Sequence, residues 1–138
     1  MTRPTPLRVL FVCVENSNRS QMAEAFARIH GGTRVEALSA GSRPSGLVNP
    51  KAIRAMREKG YELEAHRSKS TLDVGLGPFD AVVTMGCGDA CPNVTARMRV
   101  DWSIPDPRNM DEIEFRVVCD QLESEVVMLL ERMGLPTS

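Results

Sequence analysis

Apolar runs and helical stripes alternate along the chain. Leu7 to Val12, broken only by Arg8, predicts a first strand. Met22, Phe26 and Ile29 then fall on one helical face, and Gly31-Gly32 ends that helix. Val35 to Ser39 reads as the next strand. Asn49 as cap, Pro50 at the first helical position and Gly60 as stop outline a second helix. The stretch from His66 to Pro78 mixes Ser, Thr, Gly and charge, a long connection of the kind that often carries sites. Strands follow at Phe79 to Thr84 and Thr95 to Val100, then the turn-rich Ser103 to Pro107. A final helix is expected from about Asp111 to Met133, opened by the capping pair Asp111 and Glu114 and stopped by Gly134 and Pro136. Phe115, Val118, Cys119, Leu122, Val126, Leu129, Leu130 and Met133 form its apolar stripe. Strands alternating with helices imply an α/β chain built on a parallel sheet with helices on both faces.

The first strand runs directly into Cys13-Val14-Glu15-Asn16-Ser17-Asn18-Arg19-Ser20, where strand turns into helix. Backbone N–H groups of such a loop converge on an oxyanion, while the helix dipole and the Arg19 guanidinium favour negative charge at the same point. The same surroundings favour the thiolate of Cys13, a nucleophile toward phosphorus, arsenic or sulfur. The bland alternative is a buried cysteine ending a core strand, which the strand before and the helix after make the weaker reading.

Composition narrows the picture. The 138 residues suit one domain, 1–138, with residues 1–6 expected to be flexible. Seventeen Lys and Arg against eighteen Asp and Glu leave a net charge of −1, and aromatics make up 4% of the chain, so neither an electrostatic footprint for nucleic acid nor a base-stacking surface is expected. No apolar stretch approaches the ~18 residues of a membrane span, and a cytoplasmic protein is expected. In a reducing compartment four cysteines point to catalysis or redox exchange rather than a disulfide framework.

Two further features bear chemistry. Met85-Gly86-Cys87-Gly88-Asp89-Ala90-Cys91-Pro92 follows the third strand at the end of the sheet that also carries the Cys13 loop, so Cys13 and Cys87 are expected to be able to meet. Cys87 and Cys91 are close enough in sequence to pair if their loop rearranges. A zinc half-site is the competing reading, but zinc needs further ligands and His30 and His66 are not at ligand spacing; no metal is expected. Asp106-Pro107 places a carboxyl group in a loop after the fourth strand, suited to protonating a leaving oxygen. Cys119, within the final stripe, and the methionines Met22, Met56 and Met133 read as core packing.

The Cys-x5-Arg-Ser loop with Asn16 and Ser17, the following Gln21-Met22-Ala23-Glu24, the Ser39-Ala40-Gly41-Ser42 segment and Asp106-Pro107 together resemble the low-molecular-weight tyrosine phosphatase superfamily. Within it, the cysteines between Met85 and Pro92, Asp101-Trp102 and Asn-Arg-Ser-Gln-Met are most similar to arsenate reductases. The resemblance implies a three-layer, flavodoxin-like sandwich with a four-stranded parallel sheet in order 2-1-3-4. It implies that Cys13 attacks arsenate held by the amides of Val14 to Arg19 while Asp106 protonates the departing oxygen. Ser20 would hydrogen-bond the thiolate and Asn16 would set the loop. Cys87 would then resolve the intermediate and Cys91 would close a second disulfide. No tightly bound cofactor is implied. The reductant would be thioredoxin, or mycothiol or glutathione with a glutaredoxin-like protein; phosphate and sulfate would compete with arsenate, and a monomer is expected.

The chain departs from the family pattern in two places. Asn18 stands where many relatives carry a cysteine, and the Cys87 to Cys91 spacing is shorter than in the best-known thioredoxin-coupled members. A tyrosine phosphatase is the nearest alternative, but Arg108, Asn109 and Met110 stand where substrate-guiding aromatics are expected. A non-catalytic thiol sensor or arsenite-binding module is the alternative from another class, and it would need neither Arg19 nor Asp106.

Overall fold

A computed structural model of the protein describes residues 5–86 and 94–135. Four parallel strands, β1 (Leu7–Cys13), β2 (Val35–Gly41), β3 (Phe79–Thr84) and β4 (Ala96–Asp101), form one sheet in the order β2-β1-β3-β4. The order matches expectation. β1 lies in the middle, and Val9 to Val12 are wholly buried, as a parallel strand covered on both faces requires. β2 runs two residues beyond its expected end, because Gly41 pairs with Cys13 in register. β4 is an edge strand on which half-buried and exposed residues alternate.

Three helices join the strands: α1 (Arg19–Gly31), α2 (Pro50–Glu58) and α3 (Glu112–Arg132). Asn49 Oδ1 accepts the Lys51 N–H at 2.9 Å to cap α2, and the Asp111 and Glu114 side chains accept each other's backbone N–H to cap α3. Apolar residues of all three helices share one core with Val9, Phe11, Ala81 and Val83. The opposite face of the sheet presents Leu10, Val12, Ala40 and Val82. Among the described residues its covering layer is Val74, after the 3-10 turn Thr71–Asp73, together with Val94; no long helix lies there. Helices were expected on both faces; among the described residues α1, α2 and α3 contribute to the core on one face, and on the other Val74 of the connection after β2 packs against the sheet.

The stripe of α3 is buried as expected from Phe115 to Leu130, and Met133 packs half-buried against it. Ile29 departs from expectation. It is 39% exposed, while Ala25, Phe26 and Ala27 are fully buried and carry that part of the core. Met22 and Met56 are fully buried among apolar neighbours, as core filling requires.

Candidate active site

Cys13 ends β1, and Arg19 and Ser20 open α1, so the five intervening residues must turn within one loop. The turn needs a positive φ at Asn16, 52°, which asparagine adopts more readily than most residues. The neighbouring strand holds the loop from one side. Ser42, Arg43 and Ser45 donate backbone N–H groups to the carbonyls of Cys13, Val14 and Glu15, and Asn49 donates to that of Ser17. These bonds use the loop's carbonyls and leave its N–H groups out of the pairing with the segment after β2. The close approach depends on Gly41, where a Cβ would stand 2.6 Å from the Val14 carbonyl oxygen and 2.9 Å from the Asn16 nitrogen.

Cys13 is buried, and Ser20 Oγ lies 2.8 Å from its Sγ. Asn16 Nδ2 donates to Ser20 Oγ at 2.8 Å. That bond uses the hydroxyl oxygen as acceptor and leaves its proton for the sulfur. Asn16 is itself held from three directions: Gln21 Nε2 donates to its backbone oxygen and its Oδ1, and the Lys69 N–H donates to the same Oδ1. Gln21 also donates to the Arg67 carbonyl at 2.8 Å. Its amide nitrogen is thereby assigned, and Gln21 Oε1 is left to accept from His66 Nδ1 at 2.9 Å. Neutral His66 then carries its proton on Nδ1 and accepts the Tyr61 hydroxyl at Nε2, 2.7 Å away. Burial pushes the His66 pKa down, Arg28 and Lys69 push the same way, and Glu24 opposes them. A continuous hydrogen-bonded chain thus runs from Tyr61 to the thiol.

Beneath it lies Glu24, buried on α1, receiving Ser39 Oγ at 2.6 Å and Arg28 Nη2 at 2.7 Å. Lys69 stands 3.8 Å from the same carboxylate, and burial pushes its ammonium pKa down. The sequence reading assigned no role to Gln21, Glu24, His66 or Lys69. The available signal was Gln21 and Glu24 three residues apart on a helix face otherwise filled by Met22, Ala25 and Phe26.

Asp106 reaches the same cavity from the other edge of the sheet. Trp102 and Ile104 are buried in the core and pull the chain after β4 back over the loop. Trp102 packs against Phe11 at a ring-centroid distance of 6.0 Å. Arg19 Nη1 donates to the Ile104 carbonyl at 2.9 Å, and its Nη2 lies 3.9 Å from Asp106 Oδ2. Gly86, at φ 77°, lets the chain after β3 pass beside that guanidinium, where a Cβ would stand 3.1 Å from Nη1. Arg108 completes the link between the two loops, with Nη1 at 2.9 and 3.0 Å from the Glu15 carboxylate oxygens. Cys13, Glu15, Ser17, Asn18, Arg19 and Asp106 line one small cavity.

Of the residues expected at the site, the described part of the chain brings Cys13, the loop Val14 to Asn18, Arg19, Ser20 and Asp106 together. Cys87 and Cys91 lie outside the described residues. The segment leading to them begins beside the end of β1, since Met85 N–H donates to the Val12 carbonyl at 2.8 Å. Cys119 is buried on α3, and burial pushes its thiol up to about 11. His30 bonds Glu123 at 2.8 Å, and His66 belongs to the chain behind the loop. No helix of the described residues is long and apolar enough to cross a membrane.

Known proteins resemble this chain in sequence and in fold. The chain is 34% identical over 130 residues to the glutaredoxin arsenate reductase of Synechocystis sp., covering 92% of this chain and 98% of that one. A solved arsenate reductase in its phosphate-binding state superposes with a TM-score of 0.84 at 34% identity, over 91% of this chain and 98% of that one. A thioredoxin-dependent arsenate reductase from Corynebacterium glutamicum superposes with a TM-score of 0.77 at 28% identity, over 96% of this chain and 64% of that one. The family model described as low molecular weight phosphotyrosine protein phosphatase matches residues 8–135, nearly the whole described fold and the loops at both edges of the cavity, and the chain belongs to that family.

Proposed function

We propose that this protein reduces arsenate to arsenite. The observation that carries the reading is the convergence of Cys13, Arg19 and Asp106 on one small cavity. The relatives named arsenate reductase, which match over most of their own length, choose arsenate among the oxyanions such a cavity could take.

The Cys13 thiolate attacks arsenic held by the loop amides and the Arg19 guanidinium, which stabilise charge on the non-reacting oxygens. Asp106 gives its proton to the departing oxygen, which leaves as water. The product is an arseno-cysteine in which arsenic is still in the +5 state. Ser20 holds the thiolate in line before attack.

A second thiol then attacks Cys13 Sγ, and the S–As electron pair passes to arsenic, which leaves as arsenite. One disulfide has formed and arsenic has gained two electrons. We assign this resolving role to Cys87 and a following exchange to Cys91, giving a Cys87–Cys91 disulfide for reduction from outside. An external dithiol supplies the electrons, with thioredoxin or a glutaredoxin-type protein as donor, as the names of the relatives from Corynebacterium and Synechocystis suggest. The working state is a cytoplasmic monomer without a tightly bound cofactor.

The test is arsenate-dependent NADPH oxidation with thioredoxin and thioredoxin reductase, comparing the wild type with Cys13→Ser, Cys87→Ser, Cys91→Ser and Arg19→Ala. Loss of turnover in all four supports the whole relay. Turnover only with a low-molecular-weight thiol and glutaredoxin keeps Cys13 as nucleophile and moves the resolving thiol outside the chain. Absence of arsenate reduction in both systems, with hydrolysis of a phosphotyrosine mimic by the same Cys13, would replace the reductase with a phosphatase.

A further inference from the structure

Asn18 immediately precedes Arg19 and is only 5% exposed. It stands in the helix-capping position, yet its side chain makes no capping bond. It lines the cavity together with Cys13, Arg19 and Asp106. Among the described residues, its Oδ1 is the one buried side-chain nitrogen or oxygen with no hydrogen-bond partner. A buried amide oxygen left without a donor loses its hydration for nothing, at a cost comparable to a lost hydrogen bond. Every other polar side chain of the loop whose role was traced above is engaged. Asn16 is fully committed to Ser20, Gln21 and Lys69, and Glu15 to Arg108.

Glu15 and Asp106 also line this cavity, but both are held by Arg108, whereas the Asn18 oxygen is an acceptor with no donor of its own. A fully deprotonated tetrahedral oxyanion has only acceptor oxygens, so one of them would face the Asn18 oxygen across a repulsive contact. A protonated oxyanion carries an O–H that can donate there. At neutral pH arsenate and phosphate retain at least one such proton and sulfate retains none. We infer that Asn18 Oδ1 accepts the O–H of the bound oxyanion, and so selects hydrogen arsenate and hydrogen phosphate over sulfate. The inference refines the substrate choice of the reductase reading and concerns the same cavity.

The test is calorimetric titration of the reduced protein with inorganic phosphate and with sulfate, at mildly alkaline pH where hydrogen phosphate and sulfate carry the same double negative charge. Wild type is expected to prefer phosphate by about tenfold, the value of one hydrogen bond to a charged partner. Asn18→Cys removes the amide acceptor and should bring the two affinities within about a factor of two, mainly by loss of phosphate binding. Asn18→Asp keeps an acceptor at the same place and should hold or widen the preference. Asp106 is unchanged in both variants, so any acceptance by its carboxylate does not confuse the comparison. An unchanged phosphate-to-sulfate ratio in Asn18→Cys would overturn the inference. So would equal weakening of both anions in Asn18→Cys and Asn18→Asp, the outcome if the amide presented Nδ2 to the cavity instead. Because neither anion is reduced, this result is independent of arsenate turnover: a protein inactive toward arsenate with the expected ratio would refute the reductase and leave the role of Asn18 standing.

Discussion

Arg108 grips both carboxylate oxygens of Glu15, 2.9 and 3.0 Å away, across 93 residues of sequence, and so ties the Asp106 loop to the oxyanion loop. The backbone N–H of Arg108 also donates to Asp106 Oδ1 at 3.1 Å, so one residue holds Asp106 and anchors its loop. The pair is partly exposed and contributes little to stability, on the order of 0.2–1 kcal/mol. Arg108→Ala should therefore leave the thermal midpoint nearly unchanged while lowering kcat/KM for arsenate by about threefold to tenfold, as Asp106 loses its fixed position and Glu15 loses its counter-charge. The reversed pair Glu15→Arg with Arg108→Glu should recover part of the loss in steady-state kinetics. Full activity in Arg108→Ala would show that the bridge plays no part.

Ser20→Ala removes the hydroxyl 2.8 Å from Cys13 and leaves Asn16 Nδ2 without its acceptor. The rate of iodoacetamide alkylation of Cys13 at neutral pH should fall by about tenfold, the value of one hydrogen bond to a charged atom. Mass mapping of the Cys13 peptide over time measures it.

Cys119 should be unreactive in the folded protein. With burial pushing it up to about 11, it should stay unlabelled in the native protein at mildly alkaline pH and react only after denaturation. Cys119→Ala should keep full reductase activity and cost roughly 1–2 kcal/mol in denaturant unfolding, the scale of a small core deletion.

Gly86→Ala should damage the site without touching the nucleophile. Its backbone is at φ 77°, and an added Cβ would press on Arg19 Nη1. A fall in kcat/KM of about tenfold or more is expected from a displaced guanidinium, checked against the far-ultraviolet circular dichroism of the wild type.

His66 links pH to stability. Its pKa in the folded protein is lowered by burial from the ordinary 6.5, so below that value the unfolded chain binds a proton that the folded chain resists. Stability should therefore fall as pH drops through about 6.5, the ordinary value, and the loss should continue until the folded-state pKa is also passed. His66→Gln cannot titrate and should flatten this part of the stability curve in urea melts. An equal slope in the variant would assign the dependence to other groups.

Much of this protein is written in local pattern. The strand from Leu7, the caps at Asn49 and Asp111 and the stripe on α3 follow from nearest-neighbour chemistry, because caps, periodicity and buried runs act over a few residues. The Cys13 loop was legible for the same reason: strand, loop and helix N-terminus are contiguous, and so cysteine, arginine and serine come as one segment. Asp106 is 93 residues away from Cys13, and its partnership with Arg19 exists only because Trp102 and Ile104 fold into the core. Glu15 with Arg108, and the chain from Tyr61 through His66, Gln21 and Asn16 to Ser20, likewise join segments that no local rule connects. Ile29 had the spacing of a core residue, yet the folded chain leaves it 39% exposed. Local sequence determined which residues can do chemistry here; tertiary packing decided which of them meet, because contacts between distant segments depend on how the whole core closes.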